Sequence, residues 1–299
     1  MASSSSSEQR VLVVGGDSLI GGALEAALRA DGVPTDATTR RPAAAGAGRP
    51  LLDLERPDWP ADLGRRYSTA FLCAAVARLD ACHADPERSE RVNVTNLVRL
   101  ARDLTSGGCR VLFLSTNQVF GGTDPFPTAA TPVSPTSVYG RQKAAAEAAL
   151  LSLAEGGAAP CILRLSKVVQ PGMPLFAGWI DALRQGRMVR AASDMSLAPV
   201  PLRLVVATLR RLGERRAAGI HQLSSATEIS YADAALHLAE RLGVDPALVQ
   251  PVLTLEAGFL KEQPPRHTIM DGRATAAVTG LAIPDAIAAI DEVVEGMLP

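Results

Sequence analysis

The chain has 299 residues and a mass of 31.2 kDa, 47% hydrophobic and 20% charged. That excludes a disordered polypeptide and leaves enough apolar material for one large domain or two interwoven ones. With 30 basic side chains against 31 acidic ones and a pI near 6.4, nothing electrostatic points to nucleic acid or an anionic membrane as partner.

The serine run at residues 1–9 carries neither a basic segment nor an apolar stretch, so it reads as a disordered start and not as a secretory signal. No apolar run reaches the roughly 20 residues of a membrane span. The first strand, Val11–Val14, leads into Gly15-Gly16-Asp17-Ser18-Leu19-Ile20-Gly21, a GxxSxxG turn that opens a helix through residues 23–29. Glycine at 15 permits a tight turn, glycine at 21 lets the helix pack close to the strand, and free amides at the helix start suit a pyrophosphate; an ordinary glycine-rich turn is the plainer alternative. The second strand, residues 35–39, ends in Thr-Thr-Arg40-Arg41, where an NAD site would place an acid. Arginines there suit a ribose 2′-phosphate and favour NADP, or are a solvated pair at a strand end. A third strand is expected at residues 51–54. Asp53 at its end, with Leu54 beside it, either accepts from an adenine amino group or caps the following turn.

A fourth strand at residues 70–75, a helix around 92–104, a fifth strand at 111–115, a helix at 138–153 and a strand at 161–165 continue the alternation. Strands separated by helices imply right-handed crossovers and a parallel sheet. Residues 121–137, rich in proline, threonine and glycine, should form a loop at the carboxyl ends of the strands, where such sheets place ligands. The four cysteines, Cys73, Cys82, Cys109 and Cys161, lack CxxC spacing and read as small buried hydrophobes of a reducing, cytoplasmic compartment.

The sharpest signal opens the helix at residue 138. Tyr139 and Lys143 stand at i and i+4, on one helix face. An ammonium beside a phenol favours the phenolate and brings its pKa toward working pH, as a tyrosine that shuttles a proton to a carbonyl oxygen requires. Three tyrosines and three lysines would give this spacing by chance about three times in a hundred. Lysine is also used sparingly: only Lys143, Lys167 and Lys261 among the 30 basic residues. A hydroxyl to hold the carbonyl oxygen comes from Thr116 or Ser115 at the end of the fifth strand.

Beyond residue 165 the rhythm changes. Proline-bearing stretches at 170–174 and 198–201 flank a helix through 179–184, followed by a strand at 219–223, a helix at 231–242 and a terminal helix at 286–297. Phe176 and Trp179 read chiefly as packing of this part. His83, His221, His237 and His267 share no ligand spacing, so no metal site is expected.

These residues together resemble the extended short-chain dehydrogenase/reductase superfamily and, within it, the dTDP-4-dehydrorhamnose reductase-like branch of sugar-nucleotide enzymes. The resemblance covers nearly the whole chain, from the Gly15 loop through Asn93, residues 115–122, Tyr139 and Lys143 to residues 265–271. It implies an α/β fold, a Rossmann-type doubly wound parallel sheet with a smaller C-terminal substrate-binding lobe. The expected division is a nucleotide-binding domain at 10–166 and a lobe at 167–299, with 202–224 returning to the sheet. It makes Tyr139 the general acid, Lys143 its partner and ribose anchor, and Thr116 the hydroxyl on the substrate oxygen. Gly15, Asp17, Ser18, Leu19 and Ile20 would meet the pyrophosphate; Arg40, Asp53 and Leu54 would serve the adenosine end; Ala74, Ala75, Val76 and Asn93 would line the cofactor.

The departures select the reaction. Related dehydratases carry Thr-Asp-Glu where this chain has Thr116-Asn117-Gln118, and amides cannot move protons as those carboxylates do. Related reductases often have Thr-Asp-Tyr there, so the substrate face, with Asn117 and Gln118, is altered. Lys167 replaces an aromatic residue and implies an anionic or hydrogen-bonding group on the substrate, or a salt bridge to a neighbouring loop. Pro264 stands in place of an arginine, with Arg266 nearby. The expectation is an NADP-preferring reductase, NAD being possible, acting on the keto group of a nucleotide-activated sugar. An epimerase with retained NAD and a non-catalytic regulatory protein of the same fold are the alternatives, and a homodimer is a compatible assembly.

Overall fold

The computed structural model describes residues 10–153, 159–258 and 264–297; the serine run lies outside them. The first half reads β1 (Val11–Val14), α1 (Leu19–Ala30), β2 (Thr35–Ala37), β3 (Thr69–Leu72), α2 (Leu79–Ala84), α3 (Pro86–Glu90), a π-helical stretch Arg91–Asn96, α4 (Leu97–Ser106), β4 (Arg110–Thr116), α5 (Val138–Ser152) and β5 (Cys161–Leu165). The second half reads β6 (Lys167–Val169), α6 (Pro174–Arg184), β7 (Val189–Ala192), β8 (Ser196–Leu197), β9 (Pro199–Pro201), α7 (Leu202–Glu214), β10 (Gly219–Leu223), β11 (Ile229–Ser230), α8 (Tyr231–Leu242), β12 (Val249–Val252), α9 (Arg273–Thr279) and α10 (Ala286–Val294).

Six strands form a parallel sheet in the order β10-β5-β4-β3-β1-β2. Val11 pairs with Thr35 on one side and Thr69 on the other, and Thr69 with Arg110. Continuous apolar runs such as Val-Leu-Val-Val in β1, buried along their length, are what a sheet covered on both faces requires. On one face Leu12, Leu72 and Phe113 pack with Leu100 of α4 and Leu150 of α5. Each fully buried side chain of this kind contributes about 1.5–3 kcal/mol relative to exposure.

The third strand expected at residues 51–54 is not formed. Beyond β2 an isolated bridge joins Thr39 to Leu51, and the chain then folds back through an Asp53–Arg56 bridge. Leu52 and Leu54 are buried against the core, so the apolar signal reported burial and not ladder pairing. Pro50 and Pro57 lack the amide a strand would need on either side.

The chain divides into two compact units. One takes the described residues up to Val119 with Val133–Arg164 and Val206–His221; the other takes Phe120–Pro132, Leu165–Val205 and the described residues from Gln222 onward. The second unit contains two parallel strand pairs, β6 with β9 and β7 with β12, and an antiparallel pair, β8 with β11. Its core gathers Phe176 and Ile180 of α6, Leu238 of α8 and Val293 of α10. Phe176 is fully buried, its ring centroid 6.0 Å from that of Trp179. A capping box between Ser230 and Asp233 starts α8, and Gly243, at φ 66°, ends it.

His221 on β10 is 8% exposed, with both ring nitrogens buried and, among the described residues, without a partner in hydrogen-bonding geometry. Burial pushes its pKa down, only partly offset by the backbone of Ala218. The unfolded chain therefore takes up a proton near pH 6.5 that the folded chain takes up only at lower pH, so this residue costs stability as pH falls below about 6.5. His221→Leu should show a smaller drop in urea midpoint between about pH 7.5 and 5.5 than the parent chain; an equal drop would place the acid sensitivity elsewhere.

Candidate active site

At the carboxyl ends of β1, β2 and β3 lies a cavity of about 380 Å3. Gly15, Asp17 and Ser18 line one side, Arg40 with Asp53, Leu54 and Glu55 another, and the segment Ala74 to Arg78 the floor. Gly15 adopts φ 90°, and a Cβ there would lie 2.8 Å from the Ala74 nitrogen. At Gly21 a Cβ would lie 2.2 Å from the Gly15 carbonyl oxygen. The turn thus packs as closely as glycine allows.

Ser18 caps α1: its hydroxyl accepts from the Gly21 amide at 3.1 Å and donates to the Gly15 carbonyl at 2.7 Å. The amides of Leu19 and Ile20 open the helix, where no carbonyl four residues back can take them. The cradle fits a dinucleotide pyrophosphate.

The two arginines separate into different roles. Arg41 donates to Asp17 at 2.7 Å and Arg49 to the same carboxylate at 2.6 Å, with Thr39 Oγ1 donating at 2.7 Å. Arg41, with Thr39 and Arg49, holds the Asp17 carboxyl well below the usual carboxylate range. Asp17 at the cavity edge is thereby neutralised. Arg40 is exposed, lines the cavity and forms no ion pair among the described residues. Across from it Arg88 pairs with Glu55 and holds that carboxyl below its usual range, with weaker help from Arg40 and Arg56. Asp53 accepts from the Glu55 amide at 3.0 Å, the turn cap that the sequence left open.

Asn93 is fully buried and does not line the cavity; it sits behind Val76, accepting from the Val76 amide at 2.8 Å and donating to its carbonyl at 3.0 Å. It is a support for the cavity floor, not a wall.

Ser137 caps α5, accepting from the Gly140 amide at 3.0 Å. A Cβ at Gly140 would lie 2.1 Å from the Gln118 carbonyl oxygen, so glycine beside Tyr139 lets the helix start rest on the turn Asn117–Val119 that follows Thr116. Tyr139 and Lys143 share a face, with Lys143 Nζ 5.8 Å from the Tyr139 ring centroid. Lys143 is buried; its ammonium lies 4.3 Å from the Phe113 ring centroid and donates to the Leu114 carbonyl at 2.7 Å.

The expected lowering of Tyr139 by this lysine is not found. Burial pushes the phenol above its usual range and the Cys82 thiol adds to the push. Burial also pushes Lys143 down to about 8, against the raising pull of Glu147. Desolvation outweighs the pair interaction.

Ser115 is engaged by a residue that the sequence spacing did not single out. Glu147, one turn beyond Lys143, accepts from Ser115 Oγ and from Arg164 of β5 through Nε at 3.0 Å and Nη2 at 2.7 Å. Ser115 is thus committed to this buried pair, while Thr116 Oγ1 accepts from the Gln118 amide at 3.2 Å and donates to Asn117 Oδ1 at 3.4 Å. The repeat Tyr139, Lys143, Glu147, four residues apart, was a signal available in the sequence. Lys167 lies in the second unit, exposed at the start of β6 with no ion pair among the described residues.

The family model described as the RmlD substrate binding domain matches residues 9–298. The chain is 30% identical to a dTDP-4-keto-6-deoxy-D-glucose reductase of Streptomyces niveus, over 87% of this chain and 88% of that one. It is 29% identical to a dTDP-4-dehydrorhamnose reductase of Mycobacterium tuberculosis, over 70% and 73% of the two chains. Its fold is similar to that of a Bacillus anthracis dTDP-4-dehydrorhamnose reductase solved in complex with NADP, with a TM-score of 0.82 at 18% identity, covering 97% and 99%.

Proposed function

This chain belongs to the RmlD substrate-binding-domain family, and from that premise we propose that it reduces the keto group of a nucleotide-activated sugar with NADPH. The observation that carries the reading is the placement of Tyr139 and Lys143 on one face of α5, its start resting on the turn after Thr116.

When bound, NADPH supplies the hydride. Gly15 and the α1 amides would hold its pyrophosphate, Arg40 its 2′-phosphate, and Lys143 its nicotinamide ribose. Tyr139, kept protonated by burial, donates its proton to the carbonyl oxygen as that oxygen gains charge. Thr116 donates a hydroxyl hydrogen bond to the same oxygen. Lys143 then faces the phenolate that remains. Asn117 and Gln118 offer amide hydrogen bonds to the sugar but no carboxylate to move protons, which favours reduction over water elimination. Lys167 is assigned to an anionic or hydrogen-bonding group of the substrate. The free cysteines, three of them buried, favour a cytoplasmic setting.

Cofactor-stripped protein titrated with NADPH and NADH should show a rise in melting temperature, larger with NADPH. No shift with either would overturn the reading. Arg40→Ala should weaken NADPH by about tenfold relative to NADH, the loss of one charge-assisted contact; an unchanged ratio would exclude Arg40 from phosphate binding.

A further inference from the structure

Gln142 sits on α5 between Tyr139 and Lys143, only 6% exposed, and its side-chain amide is taken up by Asn93, Ser89 and Pro86. Its Oε1 accepts from Asn93 Nδ2 at 2.9 Å, and its Nε2 donates to Ser89 Oγ at 2.8 Å and to the Pro86 carbonyl at 3.2 Å. Asn93 in turn grips both backbone groups of Val76, and Cys82 Sγ donates to the Val76 carbonyl at 3.1 Å. Val76 belongs to the segment that floors the cavity. Every donor and acceptor of the two amides is engaged, so neither can turn over without stranding a buried polar group. Asn93 lies in the π-helical stretch Arg91–Asn96, and local departures of this kind are frequent at functional sites.

We propose that Gln142 is a positioning residue: through Asn93 it fixes the cavity floor at Val76 relative to the helix that carries Tyr139 and Lys143. The proposal rests on the dinucleotide reading of the cavity. A cofactor bound along residues 74–76 and held at its ribose by Lys143 touches both elements, and the amide chain is a direct polar link between them. Gln142 touches neither the cofactor nor the substrate; it acts on where they meet. A shorter or apolar side chain at this position leaves Asn93 free to rotate and release Val76.

The test uses Gln142→Met, which keeps the length and removes the amide, and Asn93→Leu, in the full chain. In Gln142→Met, exchange of the Val76 amide with solvent, read by NMR without ligand, should accelerate. The NADPH Kd should rise about tenfold, the equivalent of about one buried hydrogen bond, while KM for the sugar nucleotide changes less than threefold. In the Asn93→Leu background the same change should have no further effect on Kd, because the link is already cut. Unchanged Val76 exchange, an unchanged Kd, or additive effects of the two substitutions would each overturn the proposal. A parent chain that binds no NADPH would overturn the cofactor-positioning role together with the dinucleotide reading; failure of the amide link alone would show as unchanged exchange in a chain that does bind it.

Discussion

Tyr139→Phe is expected to lower kcat by about two to four orders of magnitude, the range for loss of a positioned general acid, while the NADPH Kd moves less than about threefold. The ring is retained, so the packing of α5 and its approach to the turn Asn117–Val119 are preserved; only the hydroxyl is lost. Because burial keeps the phenol protonated, the parent enzyme holds its proton ready across the neutral range. A variant with parent-like kcat would remove Tyr139 from the proton transfer. A variant that lost NADPH binding would show that the hydroxyl serves the cofactor instead.

The second large effect concerns Glu147 and Arg164, which are 3% and 2% exposed and form a bidentate pair. Removing either partner strands a charge in the interior, and about 3–5 kcal/mol of stability should be lost in Arg164→Met or Glu147→Leu. The doubly apolar Glu147→Leu, Arg164→Met chain should lose less than the sum, since no charge is left unpaired. Urea unfolding of the four proteins measures this; additive losses would contradict a coupled pair. The pair matters to the site because Glu147 also accepts from Ser115, the neighbour of Thr116, and pulls on the charge of Lys143.

How much of this was legible in the sequence depended on the range of each interaction. The stripe of Tyr139 and Lys143 could be read because four residues make one helical turn, and the Gly15 turn because its glycines answer to local crowding. Arg164 meets Glu147 across 17 residues, Arg49 meets Asp17 across 32, and Gln142 meets Asn93 across 49; no spacing rule reaches that far. Leu52 and Leu54 misled because burial and strand pairing leave the same apolar mark. The direction of the Tyr139 shift was missed for a related reason: sequence shows the neighbouring charge but not the depth of burial, and burial dominates.

A single turnover with NADPH deuterated at its transferable position, a nucleoside-diphosphate keto sugar and stoichiometric enzyme, followed by mass spectrometry of the sugar, goes straight to the chemistry. Reduction at this site places one deuterium on the carbinol carbon and leaves oxidised dinucleotide in equal amount. A sugar that changes configuration without gaining deuterium, or that does not change while NADPH stays reduced, would contradict it.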